Sequence, residues 1–349
     1  MGQPLRLGIL GCANIARQFC RDVQDLPEIV LAAVASRDGA KAQAFAQTYG
    51  VTRSHDSYEA LVADPEIDAI YLPLPNSMHA PWGLRVLAAG KHLLCEKPLA
   101  LNLREAQDLF AAAQRHGVML LEAYPYWFQP QTRDLVDLLH GSQQAAIGQV
   151  RSVQACFGFT LPQPVGNIRM DPTLGGGALL DAGSYPLSLI RLVMGEAPQR
   201  VMAWSSWSDT GVDISTSATL LYADGRRAHM SCAMDTANHR RATIIGTKGT
   251  IETEYLNHTS PTNTHPWGYL PSQMRVRRGI ANTIPFETLQ SATGSGFRFA
   301  AEAFARVVRT RDHAAIARAA AASLDIAATL EAVAQSARTG NTVPVVARI

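Results

Sequence analysis

Up to about Tyr124 the chain alternates short apolar runs with amphipathic stretches, the pattern of strand–helix–strand units around a parallel sheet. The runs Leu5–Leu10, Ile29–Ala35, Asp68–Leu72, His92–Cys95 and Val118–Leu121 are the predicted strands. Helices are predicted over Ala40–Tyr49, Met78–Ala89 and Leu103–His116, the last two followed by Gly90 and Gly117, where helix ends favour glycine. Beyond Pro130 the pattern changes. A helix is predicted over Thr132–His140, a strand over Val150–Phe159, and a glycine-rich loop and helix over Gly175–Met194. Val201–Ser206, Ser215–Tyr222, Arg227–Met234, Ala242–Gly246 and Thr250–Glu254 then follow without intervening helices, joined by turn pairs such as Asp224-Gly225 and Lys248-Gly249, and predict an antiparallel sheet. Leu256–Ser295, rich in Pro, Thr and Asn, reads as a long loop, and helices over Phe297–Val308 and Ala315–Ala337 complete the pattern.

Composition narrows the partners. With 349 residues, 47% of them hydrophobic, the chain is long enough for two globular domains. The formal charge of +2, from 31 basic and 29 acidic residues, sets up no field that would gather nucleic acid or anionic lipid, so a small molecule is the expected partner. No segment reaches the ~20 apolar residues that span a bilayer. The residues from Met1 to Gly11 read as a strand entering a turn rather than as a signal segment, and Arg6 stands where a myristoylation motif needs Ser or Thr. Cys12, Cys20, Cys95, Cys156 and Cys232 are scattered without a C-x-x-C pair, which fits a reducing cytoplasm and excludes a disulfide frame. His229, His239, His258 and His265 lack metal-ligand spacing, so no metal is expected. The sequon Asn257-His258-Thr259 is read as chance, and Arg275-Val276-Arg277-Arg278 as a solvated loop.

Gly8-Ile9-Leu10-Gly11-Cys12-Ala13-Asn14-Ile15-Ala16 follows a strand and opens a helix, the context of a Rossmann dinucleotide-binding turn. Gly11 serves the tight turn. A small Ala13, with Asn14 and Ile15, lets amide groups approach a pyrophosphate at the helix N-terminus. After the second strand come Ser36-Arg37-Asp38. Arg37 offers forked donors to a 2′-phosphate and Ser36 one more, which favours NADP, while Asp38 is the ribose partner an NAD enzyme would use, so NAD stays open.

Glu96-Lys97-Pro98 stands at the carboxyl end of a predicted strand, where doubly wound sheets place ligands. Taken alone, Lys97 reads as a surface lysine. With Gly11–Ala16, the segment Tyr71-Leu72-Pro73-Leu74-Pro75-Asn76-Ser77-Met78-His79 and the segment Leu174–Tyr185, it makes the chain resemble, over nearly its whole length, the glucose–fructose oxidoreductase, inositol dehydrogenase and rhizopine-catabolism family of NAD(P)-dependent oxidoreductases. The resemblance implies an α/β chain: an N-terminal Rossmann domain with a parallel sheet, residues 1–124, and a C-terminal α/β domain with an open, mostly antiparallel sheet, residues 125–349, which supports a homo-oligomer, dimer or tetramer. It also implies that Lys97 is catalytic, that Leu74, Pro75, Asn76 and His79 line the cofactor cleft, and that Glu96 holds the nicotinamide side.

Many members carry histidine where this chain has Tyr185, so Asp181-x-Gly183-x-Tyr185 is similar to the branch with xylose dehydrogenase and dimeric dihydrodiol dehydrogenase. Four residues apart on a helix, Asp181 and Tyr185 share a face, and Pro186 predicts a break at the tyrosine. Alone, Tyr185 reads as a core tyrosine. Beside Lys97 it becomes the acid/base, because a phenol of pKa about 10 needs a neighbouring cation to act near neutrality. Asp181 then orients the substrate or holds Lys97. Arg169 touches either the substrate or an acid. Trp127 and Gln129 stand where the family often has arginine and histidine, which leaves the particular substrate open. The expected function is NADP-dependent hydride transfer at a hydroxyl or keto carbon of a sugar or other diol. The alternatives are a trans-dihydrodiol dehydrogenase, with Tyr126, Trp127 and Phe128 lining a flatter pocket, and a non-catalytic NAD(P)-binding regulator.

Overall fold

A computed structural model describes residues 3–141, 146–254 and 272–346. His258, His265, the sequon at 257–259 and the first part of the predicted loop lie outside the described residues. The first sheet is built by β1 (Leu5–Leu10), α1 (Asn14–Val23), β2 (Ile29–Ala35), α2 (Gly39–Tyr49), β3 (Arg53–His55), α3 (Tyr58–Ala63), β4 (Ala69–Leu72), α4 (His79–Ala88), β5 (His92–Glu96), α5 (Leu103–Arg115) and β6 (Leu120–Ala123). Its order is β3-β2-β1-β4-β5-β6, with every pair parallel. Strands buried on both faces explain the continuous apolar runs. The order reverses between β1 and β4, which opens a crevice at the carboxyl ends of the strands.

The second sheet follows α6 (Pro130–His140). It contains β7 (Val150–Thr160), then, after α7 (Ser184–Met194), β8 (Arg200–Trp207), β9 (Asp213–Leu221), β10 (Arg227–Ala233), β11 (Asp235–Gly246), β12 (Gly249–Thr253), β13 (Gln273–Arg278) and β14 (Glu287–Gln290). Helices α8 (Gly296–Thr310) and α9 (His313–Thr339) precede a final short strand, β15 (Val343–Pro344). The order is β14-β13-β12-β11-β7-β10-β9-β8-β15. All neighbours are antiparallel except β7 and β10. Packed on one face are α7 and α9, joined by Arg191 Nε donating to Asp325 Oδ2 at 2.5 Å. The other face leaves Trp204 58% exposed.

The two sheets are tied by the last helices. Phe297, Ala301 and Phe304 of α8 enter the core of the first sheet, where Phe297 meets Phe19 edge-on at 6.0 Å. Glu331 of α9 accepts the Leu103 N–H at 3.0 Å.

Three expectations need correction. The arginine run at 275–278 is not a loop but most of β13: Met274 and Val276 are buried while Arg275 pairs with Glu252 across the strands. Its alternation has period two, hidden by charge on the outward face. The predicted loop at 256–295 therefore carries two strands, β13 and β14. Pro186 does not break the helix at Tyr185. It sits in the first turn of α7, where its missing N–H costs little, and the irregularity lies one turn earlier as a π-helical turn at Leu179–Gly183.

Candidate active site

The crevice forms a cleft of about 1260 Å³ between the two sheets. At one end is the turn after β1. Gly11 has φ 116°, and a Cβ there would meet Leu74 Cδ2 at 2.8 Å, so only glycine lets the backbone make this bend. The N-cap of α1 is Ala13, whose side chain offers no acceptor to the helix amides, and the first turn holds no acid. Those amides are left to an anion from the cleft. Ser36, Arg37, Arg17 and Lys41 line the same end, while Asp38 caps α2 by accepting the Lys41 N–H at 3.1 Å.

Along the middle lie Leu74, Pro75, Asn76, His79, Glu96 and Lys97. The ring nitrogens of His79 each lie 2.8 Å from a carbonyl oxygen, of Pro98 and of Leu74, so this side chain fixes the walls rather than projecting into the space. Burial holds its pKa below the usual histidine value. Asn76 Nδ2 donates to the Gly175 carbonyl at 2.8 Å, fastening the glycine loop of the second half to the first. Glu96 accepts the Tyr71 hydroxyl at 2.7 Å, and its burial pushes the carboxyl pKa up against the pull of that bond and of the Lys97 charge.

At the far end three chemical side chains meet. Lys97 Nζ donates to the Asp181 carbonyl oxygen at 2.7 Å, lies 3.3 Å from Asp181 Oδ1, and stands 4.7 Å from the centroid of the Tyr185 ring. Its side chain is only 11% exposed, so it is no surface lysine. Arg169 Nε donates to the other carboxylate oxygen at 2.6 Å. Burial alone would raise the Asp181 pKa, but the two cations and their hydrogen bonds hold it below the usual carboxylate range. The Tyr185 ring stacks on Phe157, with centroids 5.0 Å apart and planes 12° apart. The π-helical turn brings Asp181 and Tyr185 together onto the cleft.

All the residues expected at the cofactor, from Gly11 to Lys97, line this cleft, as do Arg169, Asp181 and Tyr185. Tyr126 does not. Its hydroxyl meets Ser188 Oγ at 2.6 Å and accepts the Trp127 indole N–H at 2.7 Å, in the core behind Tyr185. The cleft's own aromatic wall is Phe157 and Phe159, on β7, with Arg240 over the Phe157 ring at 5.0 Å. Phe157, Phe159, Arg240 and Tyr58 are not among the expected site residues; the apolar alternation of β7 is the only signal for the two phenylalanines, and Tyr58 lies on the short α3.

Beneath the Lys97 corner, Glu122 is 2% exposed and accepts the Leu99 N–H at 2.8 Å. Burial pushes its pKa up to about 7 from 4.5. The fold thus favours the protonated form, a stabilisation present below pH 4.5 and lost as pH rises through about 7. Glu122→Gln keeps the acceptor for Leu99 without the ionisation. Denaturant unfolding is expected to show this variant more stable than the parent at pH 8, by on the order of 3 kcal/mol, with the gap narrowing towards pH 5.

This combination of a parallel sheet with a glycine turn, a second open sheet and a lysine–aspartate–tyrosine cluster at their junction defines a dinucleotide-binding oxidoreductase of two-sheet architecture. The chain belongs to the oxidoreductase family with the NAD-binding Rossmann fold, whose family model matches residues 5–124, followed by the GFO/IDH/MocA C-terminal domain at residues 140–252. D-xylose 1-dehydrogenase (NADP(+)) 2 of Haloferax volcanii is 35% identical over 96% of this chain and 98% of its own. Trans-1,2-dihydrobenzene-1,2-diol dehydrogenase of Danio rerio is 36% identical over 87% and 88%. Among solved structures, KijD10, a 3-ketoreductase from Actinomadura kijaniata in complex with NADP and TDP-benzene, superposes with a TM-score of 0.85 at 30% identity, over 95% of this chain and 98% of the other. Among the described residues no group of metal-ligating side chains is present, and no helix is long and apolar enough to cross a membrane.

Proposed function

We infer that this chain is an NADP-dependent oxidoreductase acting at a hydroxyl or keto carbon of a sugar or sugar derivative, with residues 1–124 holding the cofactor and residues 125–349 the substrate. The observation that carries the reading is the meeting of Lys97, Asp181 and Tyr185 at one end of a cleft whose other end is a phosphate-binding turn. The fit to the dinucleotide rests on the bend at Gly11, the uncapped amides of α1, and the basic set around Ser36 and Arg37. When bound, NADP supplies the hydride acceptor. Lys97 donates a hydrogen bond to the reacting oxygen, and Tyr185, beside that cation, carries the proton. Asp181 sets the height of Lys97, and Arg169 keeps Asp181 ionised and in place.

Cofactor choice is directly testable. Arg37→Ala is expected to weaken NADPH binding about tenfold or more while NADH binding changes little, since a charge-assisted bond to phosphate contributes about 1.5–3 kcal/mol. Equal weakening of both would assign Arg37 to another part of the dinucleotide.

A dihydrodiol dehydrogenase is the second reading, favoured by the Phe157 and Phe159 wall, which suits a flat ring. Turnover against a panel of aldoses, ketosugars and cyclic diols separates the two. We further propose that the open face of the second sheet, with Trp204 exposed, packs against a second copy, and that the protein works in the cytoplasm, in keeping with five free cysteines.

A further inference from the structure

Lys97 is held by a turn, and that turn is held by a carboxylate outside the cleft. The shorter bond from Lys97 Nζ, 2.7 Å, goes to a main-chain atom, the Asp181 carbonyl oxygen. Sequence explains why this oxygen is there to be used. In π register a carbonyl pairs with the N–H five residues on, and five residues after Asp181 stands Pro186, which has none. Where the turn begins is fixed by Asp213. This residue opens β9, is 8% exposed and does not line the cleft. Its Oδ2 accepts the Leu179 N–H, at the first residue of the π-helical turn, at 2.7 Å and the Thr216 hydroxyl at 2.8 Å. Its Oδ1 lies so near Gly177, where φ is 109°, that a Cβ there would collide with it. Gly177 in turn donates its N–H to the Arg169 carbonyl at 2.9 Å and accepts the Asp181 N–H at 3.2 Å.

One carboxylate thus fixes the chain on both sides of Ala178, just before Asp181. We propose that Asp213 is a positioning residue for the reaction: by anchoring the start of the π-helical turn it sets where the Asp181 carbonyl oxygen stands, and with it the height of Lys97 at the substrate. Asp213 touches neither cofactor nor substrate and acts through Lys97. This rests on the oxidoreductase reading above, because the height of Lys97 matters only where it meets a reacting oxygen.

Asp213→Ala takes the acceptor from the Leu179 N–H, and a misplacement of about 1 Å at a reacting group costs up to about 100-fold in rate. Steady-state kinetics of the full chain with the best sugar of the panel are expected to show kcat lowered about ten- to a hundredfold, KM changed less than about threefold and the NADPH Kd within about twofold of the parent. Asp213→Asn, which keeps an acceptor oxygen for Leu179 and Thr216, should bring kcat back to within about threefold of the parent. Because Asp213 acts through Lys97, the double variant Lys97→Ala/Asp213→Ala should turn over no more slowly than Lys97→Ala alone, whereas a merely structural residue gives the product of the two losses. If the alanine variant does not fold, Asp213→Ser, whose hydroxyl is too short to reach Leu179, is read in its place. Parental kcat in the folded variant overturns the proposal, as do an asparagine variant as slow as the alanine one, multiplied losses in the double variant, or an equal loss of NADPH binding. A parent chain that turns over no sugar overturns the oxidoreductase reading instead, and the proposal falls with it.

Discussion

Lys97→Ala is expected to lower turnover about a thousandfold while leaving NADPH affinity within about threefold. The proposed role of Lys97 is made in the transition state, where charge develops on the substrate oxygen, and removing such a donor costs about 10²–10³ in rate, with loss of the phenol's cation adding to it. Cofactor affinity is spared because the turn at Gly11 and the Ser36–Arg37 pair lie at the other end of the cleft. Asp181 retains Arg169 at 2.6 Å, so the carboxylate is not left without a cation. Lys97→Arg should not restore the rate, since a planar fork does not reproduce an ammonium placed 2.7 Å from the Asp181 carbonyl oxygen. Steady-state kinetics with the best sugar of the panel, alongside NADPH titration, checks both halves. A loss confined to KM would make Lys97 a binding residue only.

Tyr185→Phe is the second large effect, a loss of about 100-fold or more in kcat. The substitution is conservative for the fold: the stack on Phe157, the edge contact with Tyr124 at 5.8 Å and the cation over the ring all survive. Thermal unfolding and NADPH binding should therefore match the parent. Unchanged turnover would hand the proton to another group and refute the assignment, whereas a lost rate with lost folding would show only a packing role.

How much of this was legible in the chain depended on the length and the company of each signal. The doubly buried strands of the first sheet announce themselves as apolar runs, and Gly11 is readable because a strand precedes it and a helix follows. Lys97, Asp181 and Tyr185 gain meaning only as an ordered set. Arg53–His55 forms a strand of three residues with no apolar run, and α3 is six residues long, so both escaped notice, and with them Tyr58. Outward arginines masked β13 in the same way. Tyr126 was misplaced for a different reason: an aromatic residue suits a core and a cleft equally, and the short turn at Pro125–Phe128 decides which it faces. The aromatic wall of Phe157 and Phe159 was hidden because it depends on which face of β7 turns to the first sheet, a tertiary fact that no local pattern carries.

The proposed role of the cluster at Lys97 is nicotinamide-linked chemistry on a sugar. It is tested most directly by following NADP reduction, and NADPH oxidation, by the purified chain against aldoses, nucleotide-linked ketosugars and cyclic diols, with Lys97→Ala in parallel. Turnover is expected with at least one sugar class, and the variant is expected to abolish it. Tight NADPH binding with no turnover of any of these compounds would contradict it and favour a cofactor-binding regulator.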